Sequence, residues 1–246
     1  GVANLSNLTA PLITVGDVAV TEGENLWFDD IYVTDHEENT STTMTTTTTD
    51  TSAPPITSLL INGGFESSYK GSDGVLRPTD WDVYPKDLTN FSIVHTGDAL
   101  EGSIEETFTA HSESASLRVT GTGTGSENET VVYQTFTPVA GASYTLTGAA
   151  MMPALNALID KHTYATLQIK MFSSSWNMIN DYESEMINLS STPDEWLDLS
   201  VSGVATGSVV YIQAAVEFWQ CVGEKSGCTA GDGSVYFDNL SFLQTE

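Results

Sequence analysis

Short stretches in which apolar and polar residues alternate run along most of the chain after position 56. Alternation with a period of two is typical of strands that bury one face, and the Gly, Ser and Asp residues between the stretches are typical of turns. Many short strands at this spacing predict an all-β sandwich or barrel. The predicted strands are 59–61, 116–121, 131–137, 144–150, 163–172, 196–204, 209–219 and 234–243, and a helical turn is expected within 153–161.

Two of these strands sort their side chains clearly onto opposite faces, because successive residues of a strand point in opposite directions. The apolar sets must be core: Ala165, Leu167, Ile169 and Met171 on one strand, and Val210, Ile212, Ala214, Val216 and Phe218 on the other. The opposing sets mix aromatic, amide and charged groups. Such a mixture suits sugars, whose C–H faces stack on aromatic rings while amides and charges bond the hydroxyls. The candidate ligand-binding residues are therefore Tyr164, Gln168, Lys170, Gln213, Glu217 and Trp219. The alternative is an outward face of ordinary amphipathic residues.

The other tryptophans are given different roles by their positions. Trp81 and Trp196 are expected in the core, whereas Trp176 in a Ser-rich stretch is expected at a loop tip, where it is a candidate contact at the rim of a site.

The first 57 residues divide into two segments. Residues 35–57 combine acidic residues, a threonine run and paired prolines without periodicity, which predicts a linker. Residues 26–33 (LWFDDIYV) match residues 235–242 (VYFDNLSF) near the C-terminus. Because the second copy is the last predicted strand of the 58–246 domain, the first indicates that residues 1–34 hold the terminal strands of a similar preceding module. Chance similarity between two short strands is the alternative.

The charge of the chain is strongly negative, with 33 acidic residues against 7 Lys plus Arg and a formal net charge of -26. This balance excludes ordinary binding to a phosphate backbone, which needs clustered cations. It suits divalent cations, although a solvated acidic surface without a specific partner explains it equally. No stretch approaches the roughly 20 apolar residues of a membrane-spanning helix.

The two cysteines, Cys221 and Cys228, lie close together without further metal ligands nearby. This spacing predicts a disulfide that closes a surface loop, and hence an oxidising, extracellular setting. Two free thiols are the alternative. Seven Asn-x-Ser/Thr sequons, at Asn4, Asn7, Asn39, Asn90, Asn128, Asn188 and Asn239, fit a secreted glycoprotein, but several are expected by chance in a chain so rich in Ser and Thr.

Catalytic motifs are not evident. The four histidines stand in no recognised spacing and no Gly-x-Ser-x-Gly nucleophile turn occurs. A glycosidase-like carboxylate pair could be chosen anywhere in so acidic a chain, so that signal has no value. We therefore expect no enzymatic activity, with a glycan-active enzyme as the minor alternative.

A series of short motifs resembles a known family. They are Asn62-Gly-Gly-Phe-Glu, Pro78-Thr-Asp-Trp, His111-Ser-Glu-Ser-Ala-Ser-Leu-Arg-Val, Tyr133-Gln-Thr-Phe, Gly141-Ala-Ser-Tyr-Thr-Leu, Asp194-Glu-Trp and Val235-Tyr-Phe-Asp-Asn-Leu. Their order over the 58–246 domain resembles carbohydrate-binding modules of the family 4, 9 and 22 type. The resemblance implies a jelly-roll sandwich of two antiparallel sheets that binds a polysaccharide on its concave face. It also implies an extracellular appendage of a polysaccharide-degrading enzyme, or a repeat of an adhesion or surface protein.

The resemblance further implies a structural Ca²⁺ ion. The matching acidic positions are Glu66 and Asp238, with support from the backbone of 112–116. The local chemistry agrees, because Ca²⁺ takes carboxylate and carbonyl oxygens and the glycines 63 and 64 let backbone approach an ion. Two carboxylates satisfied by turn amides are the alternative.

A structural role is the competing hypothesis for the whole chain. The terminal strands in residues 1–34 lack the rest of their module, and such strands can add to an exposed sheet edge of a neighbouring copy. The sequence thus permits a subunit of an extracellular filament or surface array that contacts copies of itself through residues 1–34.

Overall fold

The computed structural model describes residues 57–86, 90–122, 126–222 and 233–245. The segment 1–34, the linker up to residue 56 and Cys228 lie outside these ranges. The tandem module, the strand-addition hypothesis and the disulfide partner therefore stay predictions.

The described residues form β-strands and two single 3₁₀ turns, and no longer helix occurs among them. The strands are β1 (Ser68–Lys70), β2 (Leu76–Pro78), β3 (Asp82–Tyr84), β4 (Phe91–His95), β5 (Ala115–Thr120), β6 (Asn128–Phe136), β7 (Ser143–Met151), β8 (Tyr164–Phe172), β9 (Met178–Glu183), β10 (Ile187–Asn188), β11 (Leu197–Val204), β12 (Tyr211–Gln220) and β13 (Ser234–Thr245). The 3₁₀ turns are Leu100–Gly102 and Ala154–Asn156, and the second lies where a helical turn was predicted.

Two antiparallel sheets carry the fold. The first has the order β10-β8-β12-β6-β3, with β9 also pairing with β8, and the second has the order β11-β7-β13-β5-β4. A short hairpin of β1 and β2 lies outside both. Neighbours in each sheet come from distant parts of the chain, as β12 between β6 and β8 illustrates. The predicted all-β jelly-roll sandwich of two antiparallel sheets is confirmed.

The core lies between the two sheets and uses the apolar faces predicted from the alternation, with one exception. Val210 was predicted to be core but is 36% exposed, because it precedes the first residue of β12. Leu167 and Ile169 of β8 and Val216 of β12 are fully buried, as are Leu146 of β7 and Phe237 of β13 from the opposing sheet. Burial of apolar area at about 25 cal/mol per Å² makes this layer the main source of stability.

The long strands were predicted well and the short ones were not. Residues 59–61 form no strand, although the Leu59 amide donates to the Phe242 carbonyl at 2.7 Å along the edge of β13. Strands β1 to β4 are three to five residues long, too short to show a reliable period. Within the described ranges no helix is long and apolar enough to cross a membrane.

Candidate functional site

The outer face of the six-stranded sheet presents polar side chains in cross-strand rows. Residues directly opposite each other in antiparallel strands share a face of the sheet. Lys170 of β8 pairs with Gln213 of β12 and, on its other side, with Asp181 of β9. The next row places Gln168 between Ala215 and Glu183. The polar face predicted from the alternation therefore exists, and strands β3, β6 and β9 widen it.

A groove of about 550 Å³ lies on this face, and we call it the aromatic groove. Four of its lining residues are aromatic and three others supply an ammonium, a carboxylate and an amide. The residues are Tyr84, Glu129, Val131, Tyr133, Lys170, Phe172, Trp176, Met178 and Gln213. Apolar walls with a few converging polar groups are the usual composition of a small-molecule or saccharide site.

One end of the aromatic groove is a stack of aromatic rings. The Trp176 and Tyr211 rings lie 4.3 Å apart at an interplanar angle of 8°, and Phe172 lies 5.7 Å from Trp176. Trp176 adopts a left-handed backbone conformation with φ 59°, in a turn where its amide donates to the Ser173 carbonyl at 3.0 Å. The side chain stays 52% exposed despite the stack, so ring area remains available to a ligand.

A buried charge cluster lies under the middle of the groove. The Lys170 Nζ donates to Glu217 Oε1 at 2.5 Å and to Glu129 Oε1 at 3.1 Å. Lys170 is 7% exposed and Glu217 is 1% exposed, whereas Glu129 is partly accessible. A buried ammonium needs such partners, because an uncompensated charge in this setting costs several kcal/mol.

The pKa values of the two carboxyl groups of the cluster are shifted in opposite directions. Burial and hydrogen bonding to Glu129 raise the pKa of Glu217 to about 8, and this outweighs the attraction of Lys170. Burial also acts to raise the pKa of Glu129, but hydrogen bonding to Glu217 and the charge of Lys170 outweigh it and lower that pKa. The short contact with Lys170 would by itself favour an ionised Glu217. The two carboxyls instead share one proton at neutral pH, as closely spaced carboxyl groups do.

In the structure, the six ligand-binding residues predicted from the sequence fall into three groups. Lys170 and Gln213 line the groove. Glu217 and Gln168 are each 1% exposed and contact other side chains of the sheet instead of a ligand. Glu217 accepts from Lys170, and the Nε2 of Gln168 donates to Glu183 Oε1 at 2.9 Å. Tyr164 and Trp219 oppose each other in register at the far end of the strands, partly exposed and outside the groove.

The sequence reasoning missed the contributions of other strands to the groove. Tyr84 comes from an edge strand of three residues. Glu129 and Tyr133 come from β6, for which the sequence analysis assigned no outward face. Alternation along 128–136 offered the signal for β6, while no local pattern marked Tyr84. The rim position expected for Trp176 agrees with its place in the lining. Trp81 packs on the core beside Phe65, as expected of a structural tryptophan.

Glu66 and Asp238 converge on one loop. Glu66 Oε1 accepts from the amides of Ser114 at 2.9 Å and Ala115 at 2.8 Å, and its Oε2 accepts from the Ser114 hydroxyl. Asp238, fully buried, accepts from the Ser112 amide at 2.8 Å, the Ser112 hydroxyl and the Asn239 amide. Burial raises the pKa of Asp238, and these hydrogen bonds only partly oppose it.

The same contacts bear on the calcium prediction. No cluster of three or more acidic, His or Cys side chains suited to a metal occurs in the described parts of the chain. A Ca²⁺ ion here would need the carbonyl oxygens of the loop in addition to Glu66 and Asp238. A carboxylate offers about four acceptor positions and three are occupied on each residue, so each retains room for one further ligand. The calcium site stays a prediction. The contacts present are those of the alternative, in which backbone amides satisfy the two carboxylates.

Gly63 packs directly against β13. A Cβ at this position would lie 2.1 Å from the Leu240 carbonyl oxygen, and the Gly63 carbonyl accepts from the Leu240 amide at 2.9 Å. The absence of a side chain therefore lets the opening motif of the domain lie directly against β13.

Cys221 is fully buried at the end of β12. Its predicted partner lies outside the described ranges, so the disulfide stays a prediction.

No protein-family model and no curated protein matches the sequence. Among solved structures, a family 61 carbohydrate-binding module in complex with β-1,4-galactotriose is 13% identical over 76% of this chain and 99% of its own, with a TM-score of 0.46. A cyclase from Fischerella sp. TAU is 16% identical over 75% of this chain and 94% of its own, with a TM-score of 0.47. A family 22 xylan-binding domain from Paenibacillus barcinonensis is 11% identical over 68% of this chain and 86% of its own, with a TM-score of 0.40. The similarity to jelly-roll carbohydrate-binding modules is thus one of fold, and at these TM-scores it carries no argument about what the chain binds.

Proposed function

We propose that this chain is a non-catalytic carbohydrate-binding module that holds a polysaccharide in the aromatic groove. One observation carries the proposal: the groove combines exposed aromatic rings with an ammonium, a carboxylate and an amide within about 550 Å³. Aromatic faces suit the C–H faces of pyranose rings, and the polar groups suit their hydroxyls.

The geometry of the polar groups supports binding without bond cleavage. A general acid must reach the atom that it protonates. The carboxyl with the strongly raised pKa is that of Glu217, which is 1% exposed and pressed against Lys170. Its role in the proposal is to hold the Lys170 ammonium at a fixed place in the groove wall.

Trp176→Ala is the variant that tests the location of the site. Glycans that bind on an array are followed by titration calorimetry with the wild type and the variant. Because stacking aromatics usually dominate such sites, Trp176→Ala is expected to weaken binding by about 2 kcal/mol, roughly thirtyfold. Tyr69→Ala is the matched control, since Tyr69 is 51% exposed but lies on the separate hairpin.

Two other outcomes of this experiment have clear meanings. Affinity that survives Trp176→Ala but is lost with Trp219→Ala and Tyr164→Ala would move the site to the far end of the same sheet. If no polysaccharide binds the wild type, the proposed function is wrong.

We also propose a structural Ca²⁺ ion at Glu66 and Asp238. The convergence of both carboxylates on the 112–115 loop supports it, because an ion there would tie the opening motif, this loop and β13 together. Burial of Asp238 adds support, since a nearby cation would stabilise its charged form.

We place the protein outside the cell. The acidic composition, with a net charge of -26, and the predicted disulfide of Cys221 and Cys228 are typical of chains in an oxidising, saline setting.

A further inference from the structure

The charges around the aromatic groove are almost all negative. By strand register, five carboxyl-bearing residues share the groove face with a single cation, Lys170. They are Asp82, Glu129, Asp181, Glu183 and Glu217. Lys170 is already neutralised by Glu129 and Glu217, so the remaining carboxylates have no counter-ion within 4 Å among the described residues.

Two of the uncompensated carboxylates lie beside the groove, on the same face of the sheet. Asp181 and Glu183 lie on β9, opposite Lys170 and Gln168, and both are exposed. The pKa of Asp181 is raised, by partial burial first and then by Glu183 and Glu129, and this outweighs the opposing effect of Lys170. Negative potential therefore accumulates along this side of the groove.

An unpartnered buried acceptor lies next to these carboxylates. Gln168 is 1% exposed, and its Oε1 has no hydrogen-bond donor, whereas its Nε2 donates to Glu183. The carboxylate of Glu183 fixes the orientation of the amide, because it can only accept. A buried acceptor without a donor is unfavourable, because it has lost its hydrogen bonds to water.

These features call for a ligand with positive charge and several donors. An ammonium group offers three donors and no acceptor, and it is attracted both to carboxylates and to the face of Trp176. Acetamide and hydroxyl groups lack the charge, and anionic sugars are repelled by these carboxylates.

We propose that the aromatic groove selects glycans that carry protonated amines, such as β-1,4-linked glucosamine oligomers. The inference rests on the proposed function and specifies its ligand class. The ammonium groups lie against Asp181 and Glu183, and the sugar rings stack on the aromatic end at Trp176.

Three hexasaccharides with the same β-1,4 backbone test the proposal. They differ only at C2, which carries a hydroxyl, an acetamide or an ammonium group, and binding is measured by calorimetry at about pH 6, where the amine is largely protonated. The glucosamine hexamer is expected to bind at least about tenfold more tightly than the other two. Equal or tighter binding of a neutral hexamer overturns the inference but leaves the proposed function intact. Binding of none of the three overturns the inference, and a wider glycan array then decides the proposed function separately.

Matched double variants separate a site from general attraction to an acidic protein. Asp181→Asn/Glu183→Gln and Glu106→Gln/Asp198→Asn each remove two exposed carboxylates, the first pair from the sheet face beside the groove and the second pair from elsewhere on the surface. Only the first is expected to reduce the preference for the amine to about twofold or less. If both variants weaken amine binding equally, the preference reflects the net charge of -26 and the inference is wrong.

Discussion

Replacing Glu217 with glutamine is expected to flatten the dependence of stability on pH between 6 and 9. A carboxyl whose pKa is higher in the folded protein than in the unfolded chain holds its proton more tightly when folded. It therefore stabilises the fold below the unfolded pKa, and this contribution is lost as the pH rises through the folded pKa. The pKa of Glu217 rises from 4.5 to about 8, chiefly because the side chain is buried and bonded to Glu129.

The size of the effect follows from these two values. Proton linkage contributes about 3 kcal/mol at pH 6 and close to zero at about pH 9. For a domain of this size, that loss corresponds to a fall in melting temperature of roughly 6–12 °C. The partners do not interfere in this range. The lowered pKa of Glu129 places its titration below the window, and the raised pKa of Lys170 places its titration above it.

Melting curves at several pH values measure the effect in the wild type and in Glu217→Gln. Glutamine has the shape of the protonated acid, so the two proteins are expected to match at pH 6 and to diverge as the pH rises. Glu185→Gln, at an exposed position, is the control and should follow the wild type. Glu129→Gln should also flatten the curve, because it removes the neighbour that shares the proton.

Parallel curves for the wild type and Glu217→Gln would refute this reasoning. They would mean that Glu217 is already ionised at pH 6 and forms a simple ion pair with Lys170.

The remaining predictions concern the frame around the groove. Gly63→Ala is expected to lower the free energy of unfolding by more than about 2 kcal/mol in urea titrations, because its Cβ would meet the backbone of β13. Gly207→Ala is the control and should change the free energy of unfolding little, because its Cβ would meet open space. Equal effects of the two substitutions would contradict the packing argument. A chelator is expected to lower the melting temperature if Ca²⁺ binds at Glu66 and Asp238, and an unchanged melt would reject that site. Deleting residues 1–57 is expected to abolish any self-assembly measured by light scattering. The filament hypothesis is wrong if the full and the truncated chain are both monomers of equal stability.

Local pattern determined the class of the fold and the inner faces of the long strands. The alternation along β8 and β12 placed Leu167, Ile169 and Val216 in the core, because a strand between two layers must bury one face of its pleat. It also placed Lys170 and Gln213 on the opposite face, where they line the groove. A period of two is a property of neighbouring residues and is readable without the partner strands.

Only the tertiary structure decided what that face does. Tyr84, Glu129 and Lys170 come from strands separated by tens of residues, and pairing across the sheet brings them to one groove. The same packing buried Glu217 and Gln168, which the sequence presented as ligand contacts, because neighbouring strands cover them. Alternation specifies the side of a sheet on which a residue lies. Its depth and electrostatic surroundings depend on residues that are distant in sequence, so burial, proton sharing and the shape of the groove emerge only when the strands are assembled.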